Sequence, residues 1–211
     1  MKLPVNNLIK LDPRFKEVIE KFGVIELEKK TDPYKSLVKA IIYQQLSGKA
    51  ASTIYNRFLD LYPSKHPTKS QLISTELHVL RSVGLSNRKS EYIKAIAEFF
   101  TENKTSIKDF EKMSDEEIRE QLITIRGIGH WTIDMFLMFT LNRLDVFPVL
   151  DLGIKKGFAK FFELKNMPSE KFMIKKANKW KPFQSIAAHY FWSIADDLKN
   201  INVKISTAAL K

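Results

Sequence analysis

Apolar residues recur three and four positions apart along most of this chain, the period of α-helices with one buried face, and no stretch alternates as a strand would. Asp32-Pro33 offers an N-cap with proline in the first turn, ahead of Leu37, Val38, Ile41, Ile42 and Leu46. Ser47-Gly48 interrupts that stripe, and Ala50, Ala51, Ile54, Phe58 and Leu61 carry a second one to the stop at Pro63. Leu77, Leu80 and Val83 lead into Gly84, after which Ser86 caps a helix bearing Tyr92, Ile93, Ile96, Phe99 and Phe100. Ser114 and Glu117 have capping-box spacing ahead of Ile118, Leu122 and Ile125. Gly127-Ile128-Gly129 breaks that helix and Trp131 to Leu141 resumes it. Further helices are predicted at Asp151 to Phe162, Ser169 to Trp180 and Phe183 to Leu198. The pattern predicts roughly ten helices in an all-α, compact two-lobed bundle. Residues 1–211 read as one domain with a helical hairpin at 114–141, and no composition break separates the lobes.

Charge narrows what such a bundle works on. The 35 Lys and Arg outnumber 24 Asp and Glu, for a formal charge of +11 on 211 residues, which points to a polyanionic partner with nucleic acid foremost. A membrane surface is the competing partner for a basic protein. No uninterrupted apolar stretch reaches the ~18 residues needed to span a bilayer, however, and MKLPVNNLIK lacks a signal-peptide core, so a cytoplasmic location is expected. There is no cysteine, which excludes disulfides, thiolate catalysis, Cys-ligated zinc and iron–sulfur clusters. The four histidines, His66, His78, His130 and His189, show no metal-ligand spacing.

Only seven glycines occur, and two of them stand one residue apart just ahead of a long apolar run. A helix, a Gly-apolar-Gly turn and a second helix form a hairpin whose glycines reach backbone angles closed to other residues and permit close approach by another molecule. The turn also presents amide N–H groups at the start of the Trp131 helix, where the helix dipole favours a phosphate oxygen. A plain helix–helix connection would use the same glycines for geometry alone.

Three ordered blocks go further than the turn. They are Ala40-Ile41-Ile42-Tyr43-Gln44-Gln45-Leu46-Ser47 with Ala50-Ala51; Gly84-Leu85-Ser86-Asn87-Arg88-Lys89; and Gly127-Ile128-Gly129-His130-Trp131-Thr132, followed by Asp145-Val146-Phe147-Pro148 and Asp151-Leu152-Gly153. In this order, across residues 35 to 195, the chain resembles the helix-hairpin-helix base-excision DNA glycosylases of the DNA-3-methyladenine glycosylase II type, in a minimal form without an N-terminal β-domain. Ile133 stands where many members carry a small residue, and Leu150 where many carry an acid, so pocket shape and substrate range stay open.

The resemblance implies an active-site cleft between two lobes, double-stranded DNA with damaged bases as partner, a monomer, and Asp151 as the catalytic carboxylate. Chemistry agrees: removing a base leaves positive charge on the deoxyribose, which a fixed carboxylate stabilises while it orients or deprotonates water. Asp151 also reads as an ordinary N-cap ahead of Ile154, Phe158 and Phe161, and the two roles are compatible. Asp134 and Asp145 are the rival carboxylates. No second acid lies nearby, which favours an alkylated purine such as 3-methyladenine or 7-methylguanine, already cationic and in need of no proton donor. Aromatic faces hold such a base, and the resemblance offers Trp131, Trp192, Tyr190 and Met135 as the base pocket. Each aromatic, taken alone, reads more readily as core, and only the resemblance raises Trp131 and Trp192 above that reading. Relatives that also cut the strand carry lysine at the Trp131 position; with no amine there, base removal without strand cleavage is expected.

The resemblance further implies that Gln44, Gln45, Leu46 and Ser47 form the turn that fills the gap left by the flipped base, with Gln45 best matching the plug. Alternatively, Gln-Gln-Leu-Ser is a polar helix end followed by a serine cap. DNA contacts are expected from Gly127, Ile128, Gly129, His130 and Thr132 in the hairpin and from Ser86, Arg88 and Lys89 in the second block. Lys155, Lys156, Lys175, Lys176 and Lys179 add charge. No cofactor is required, but a structural Na+ or K+ is expected on the backbone carbonyls of Ile123, Ile125 and Ile128. A glycosylase for deaminated or oxidised bases, with Tyr190 or His130 as hydrogen-bond donor, and a non-catalytic DNA clamp that needs neither Asp151 nor Trp192, remain alternatives.

Overall fold

The computed structural model describes residues 4–27, 32–46 and 48–208, with side chains as far as 197, and every regular element among them is helical. Two compact units partition the chain, one from residues 1–29 and 142–211, the other from 30–141. The first begins with α1 (Val5–Leu11) and α2 (Phe15–Phe22). The second holds α3 (Pro33–Tyr43), α4 (Gly48–Asp60), α5 (Lys69–Ser74), α6 (Leu77–Ser82) and α7 (Asn87–Glu102). It continues with α8 (Ile107–Lys112), α9 (Asp115–Leu122) and α10 (His130–Met135). The chain then returns to the first unit as α11 (Leu152–Phe161), α12 (Glu170–Ala177) and α13 (Gln184–Ala208).

Helix starts follow the side-chain caps in the sequence. Asp32 caps α3 through Lys35 N, Ser86 caps α7 through Lys89 N, and Ser114 and Glu117 close the reciprocal capping box of α9. Each satisfies amides that a helix end leaves without intrahelical partners. The helices absent from the pattern reading, α1, α2, α5 and α8, have six to eight residues. Two turns hold too few apolar positions to establish a period, and such helices persist through tertiary packing rather than propensity.

The stretch expected as one helix from Trp131 to Leu141 is divided. After α10 the chain widens into a π-helical turn over Phe136–Thr140, with Leu141 N donating to Phe136 O at 3.2 Å. A run this apolar, with its few polar residues Thr132, Asp134 and Thr140 buried as well, leaves no polar face to distinguish a 3.6-residue turn from a wider one.

The 30–141 unit is built on buried Leu37, Ile41, Ile42, Leu72, Ile93 and Ile96, with Phe100, Phe110 and Phe136 in edge-to-face contact. The other unit has an aromatic core in which Phe15, Phe158, Trp180 and Phe191 meet. Its N-terminal segment is tied in by Asp12, 1% exposed, whose carboxylate accepts from Trp180 Nε1 at 3.1 Å and pairs with Arg14 and Lys179, each at 2.7 Å. Burial pushes this carboxyl up. The hydrogen bonds from Arg14, Lys179 and Trp180 outweigh burial and hold it well below the usual carboxylate range.

Candidate active site

In the first unit, the loop before Asp151 is fixed from both sides. Ser185, at the start of α13, donates through Oγ to Arg143 O at 2.8 Å and accepts from Val146 N at 2.9 Å, while its own N–H donates to Leu144 O. Phe147 packs edge-on against Phe158, Trp180 and Phe191, so the Phe-Pro break is anchored in the aromatic core. The chain then turns, with Asp151 N donating to Pro148 O, and Asp151 becomes the N-cap of α11.

Its Oδ1 receives two donors: Ile154 N–H at 2.9 Å and Trp192 Nε1–H at 2.8 Å. One oxygen of a half-buried carboxylate is thereby locked in place, and its charge stands where the positive end of the helix dipole supports an anion. Trp192 therefore engages Asp151 through the edge of its indole. Leu150 and Leu152 flank the carboxylate, 46% and 58% exposed. The leucine in place of an acid thus leaves an apolar rim around the approach to Asp151.

That contact exists because α11 and α13 touch through glycine. A Cβ on Gly153 would sit 2.8 Å from Trp192 Cδ1 and 3.1 Å from Asp151 Oδ1. A Cβ on Gly157, one turn further, would sit 1.9 Å from the Phe191 carbonyl oxygen. The pair holds two helix backbones close enough for Trp192 to reach Asp151. Gly153 stands in the matched block without an assigned role, and Gly157 was missed; their i, i+4 spacing on a helix otherwise apolar on that face is the signal that marks them.

Tyr190 is corrected. It is fully buried, its hydroxyl donates to Gly23 O at 2.9 Å, and its ring lies in the cluster around Phe15, so it is a core aromatic rather than a base-facing one. Its neighbour His189 sits edge-on to Trp192, and burial pushes the imidazole down to about 4, keeping it uncharged at neutral pH.

The second unit contains the hairpin, α9–turn–α10. Its two glycines differ in kind. Gly127 has φ +92°, and a Cβ there would lie 2.2 Å from Tyr92 Cγ, so its close neighbour is the protein's own ring rather than an outside molecule. Gly129 has φ −119°, is exposed, and its missing Cβ would meet no described atom within 4 Å. It is Gly129, with exposed His130 beside it, that offers an accessible main-chain edge. Across the hairpin Arg119 pairs with buried Asp134 at 2.7 Å, which gives that rival carboxylate a structural partner. The other rival, Asp145 in the first unit, has a buried Oδ1 with no hydrogen-bond partner among the described residues. Trp131 and Met135 are half-buried and share one face of α10. The Ile125 carbonyl accepts from Ile128 N at 3.0 Å. Ile125 and Ile128 are buried beside the turn and Ile123 is exposed.

The turn after α3 lies in the same unit. Gln45 and Leu46 are exposed, and Gln45 has φ +56°, a left-handed conformation that costs a side-chain-bearing residue about 1–2 kcal/mol. Gln44 is not a free polar end: its Nε2 donates to Thr132 Oγ1 at 2.8 Å. Two expected DNA contacts are corrected accordingly. Thr132 is 2% exposed and holds Gln44. Lys89 turns inward, its ammonium donating to Ile42 O and Gln44 O, both at 2.7 Å, and burial pushes its pKa down. Ser86 and Arg88 are exposed, and Ser47 lies outside the described residues.

The profile of the HhH-GPD superfamily base excision DNA repair proteins matches residues 38–183. DNA-3-methyladenine glycosylase 1 of Schizosaccharomyces pombe is 35% identical over 203 residues, spanning 92% of this chain and 89% of that protein. The alkylbase DNA glycosidase-like protein mag2 of the same yeast is 34% identical, spanning 89% and 91%. Among solved structures, S. pombe 3-methyladenine DNA glycosylase in complex with abasic DNA superposes with a TM-score of 0.81 at 33% identity, covering 89% of this chain and 93% of that one. DNA-3-methyladenine glycosidase from Bacillus halodurans does so with a TM-score of 0.81 at 34% identity, covering 94% and 92%. The match runs unbroken from within α3 to the residue before α13, taking in the hairpin and the Asp151 cap: this chain belongs to the HhH-GPD superfamily of base-excision DNA repair proteins.

Proposed function

We propose that this protein is a monofunctional DNA glycosylase that takes alkylated purines out of double-stranded DNA, hydrolyses their bond to the sugar and leaves an abasic site. The observation that carries the proposal is Asp151 at the head of α11, its Oδ1 fixed by Ile154 N–H and Trp192 Nε1–H. The names of its similar relatives, DNA-3-methyladenine glycosylases, and a DNA complex among its structural neighbours support this class of substrate.

As the bond between C1′ and the base nitrogen breaks, the electron pair leaves with the base and the ring oxygen and C1′ share a positive charge. A carboxylate already oriented by two donors stabilises that charge without reorganising, and it accepts a proton from the water that adds to C1′. A purine alkylated at N3 or N7 departs as a neutral molecule, so no acid is required of the protein. The indole faces of Trp131 and Trp192 are the groups suited to a cationic base. Trp131 brings no amine for a Schiff base, so the strand stays intact.

Gly129 and His130 present the hairpin amides to phosphate, exposed Arg88 adds a cation, and Gln45 with Leu46 supplies the plug. A Na+ or K+ on the backbone carbonyls of Ile123, Ile125 and Ile128 is part of the same proposal, although the chemistry makes no demand for it. A cytoplasmic monomer with access to the chromosome belongs to the same proposal. No helix among the described residues is long and apolar enough to cross a membrane.

The test incubates wild type and Asp151→Asn with duplexes carrying labelled 3-methyladenine, 7-methylguanine, hypoxanthine or uracil. Asparagine keeps the N-cap acceptor, so the variant folds, and it should lose about 10²–10³-fold or more in excision rate. Equal release of base by both proteins removes Asp151 from the chemistry. Release of hypoxanthine or uracil alone points to deaminated bases, and binding without release of any base points to a clamp. A borohydride-trapped adduct contradicts the monofunctional assignment.

A further inference from the structure

The Lys89 side chain reaches from the first turn of α7 to the far end of α3. There its ammonium meets Ile42 O, one of the carbonyls that the end of α3 leaves without a helical partner, and Gln44 O beyond the helix. A cation at a helix C-terminus also opposes the negative end of the dipole. The same short turn is held at a second point, because the Gln44 side chain donates to Thr132, buried in α10 directly after the hairpin. Next to these two ties Gln45 has φ +56°, and Gln45 and Leu46 are exposed. Leu46 N donates to Tyr43 O at 3.4 Å and closes a type II turn, whose third residue takes a positive φ. A side chain is held at that position only where its surroundings favour the turn, and Lys89 and Thr132 both bond its Gln44 corner.

We infer that Lys89, together with the Thr132–Gln44 bond, is a positioning device that presets the Gln45–Leu46 tip for insertion into DNA, coupling the hairpin and the 84–89 loop to base flipping. Two hydrogen bonds to backbone carbonyls occupy the Lys89 ammonium, which separates it from exposed Arg88 next to it. The inference rests on Gln45–Leu46 being the plug. It goes beyond that by assigning Lys89 and Thr132 to flipping rather than to phosphate binding.

Full-length Lys89→Met, Lys89→Arg, Thr132→Val and Gln45→Ala are compared with wild type in single-turnover excision of 7-methylguanine. The lesion is placed opposite cytosine in one duplex and opposite an abasic analogue, where pairing is already lost, in another. Flipping is followed with 2-aminopurine beside the lesion, affinity is measured across salt concentrations, and thermal melting confirms that each variant is folded. Thr132→Val should slow excision of the paired lesion about tenfold, the loss expected from one hydrogen bond, and Lys89→Met, which removes two, at least about as much. The 2-aminopurine signal should fall, while the abasic-paired substrate and the salt slope stay near wild type. Lys89→Arg should recover part of the loss.

Equal slowing on both substrates overturns the inference, as does a wild-type rate on the paired one. Weaker binding in Lys89→Met, with a salt slope lower by about one, overturns it in favour of a phosphate contact. Wild-type flipping by Gln45→Ala overturns the plug assignment itself, whatever Lys89 does.

Discussion

Gly157→Ala sets two effects of opposite sign against each other. Alanine in place of glycine within a helix is ordinarily favourable by about 1 kcal/mol. Here the new Cβ would lie 1.9 Å from Phe191 O, 2.6 Å from Phe191 C and 2.8 Å from Phe191 Cα. A carbon–oxygen contact needs about 3.3 Å, so about 1.4 Å must be found. No side-chain rotation supplies it, because every atom met belongs to the backbone of α13. The helices must part, at a cost near the upper end of the 1–3 kcal/mol typical of overpacking.

The clash wins by about 2 kcal/mol, which lowers the melting temperature of a chain this size by about 4–8 °C. The same displacement stretches the 2.8 Å Trp192–Asp151 bond by up to about 1.4 Å, which at that limit is beyond hydrogen-bonding range. A carboxylate misplaced by about 1 Å costs about 10²-fold in rate. Differential scanning calorimetry and single-turnover excision measure the two terms separately. Gly153→Ala is the control: its Cβ meets mainly Trp192 and the Asp151 carboxylate, side chains that can rotate, so activity should fall with little change in stability. A Gly157→Ala protein that melts higher than wild type and excises at the wild-type rate would refute the view that the glycine contact between α11 and α13 builds the site.

The hairpin glycines should separate by assay. Gly127→Ala, strained at φ +92° and driven into the Tyr92 ring, should lose about 3 kcal/mol of stability; Gly129→Ala should melt no lower than wild type yet bind DNA more weakly in a fluorescence-anisotropy titration. Acid should single out Asp12. Its folded pKa is depressed, so the stability it contributes is present above the unfolded value of about 3.9 and is lost as pH falls through that value towards the folded one. The melting-temperature gap between wild type and Asp12→Asn should therefore narrow from about pH 6 to about pH 3, and a constant gap would deny the linkage.

Much of the local architecture is written in short stretches of chain. The caps at Asp32, Ser86, Ser114 and Asp151, the turn at Gly127 to Gly129 and the apolar stripes of α3, α7 and α11 depend on residues three or four apart, so periodicity and capping chemistry reveal them. The order of the three blocks likewise suffices to find the superfamily, with Asp151 at the head of a helix.

What distant residues do to one another is absent from that pattern. Nothing local tells that Trp192 turns its N–H to Asp151, that Tyr190 beside it is spent on Gly23, that Lys89 binds the end of α3 instead of a phosphate, or that buried Thr132 holds Gln44. These pairings join residues 41, 167, 47 and 88 positions apart. The sequence by itself thus determined where the longer, capped helices form and which carboxylate caps α11. Only the tertiary structure decided which aromatic meets that carboxylate and which lysine holds the turn, because a side chain's partner is fixed by how whole helices pack, and at Gly153 and Gly157 by how closely two backbones can approach.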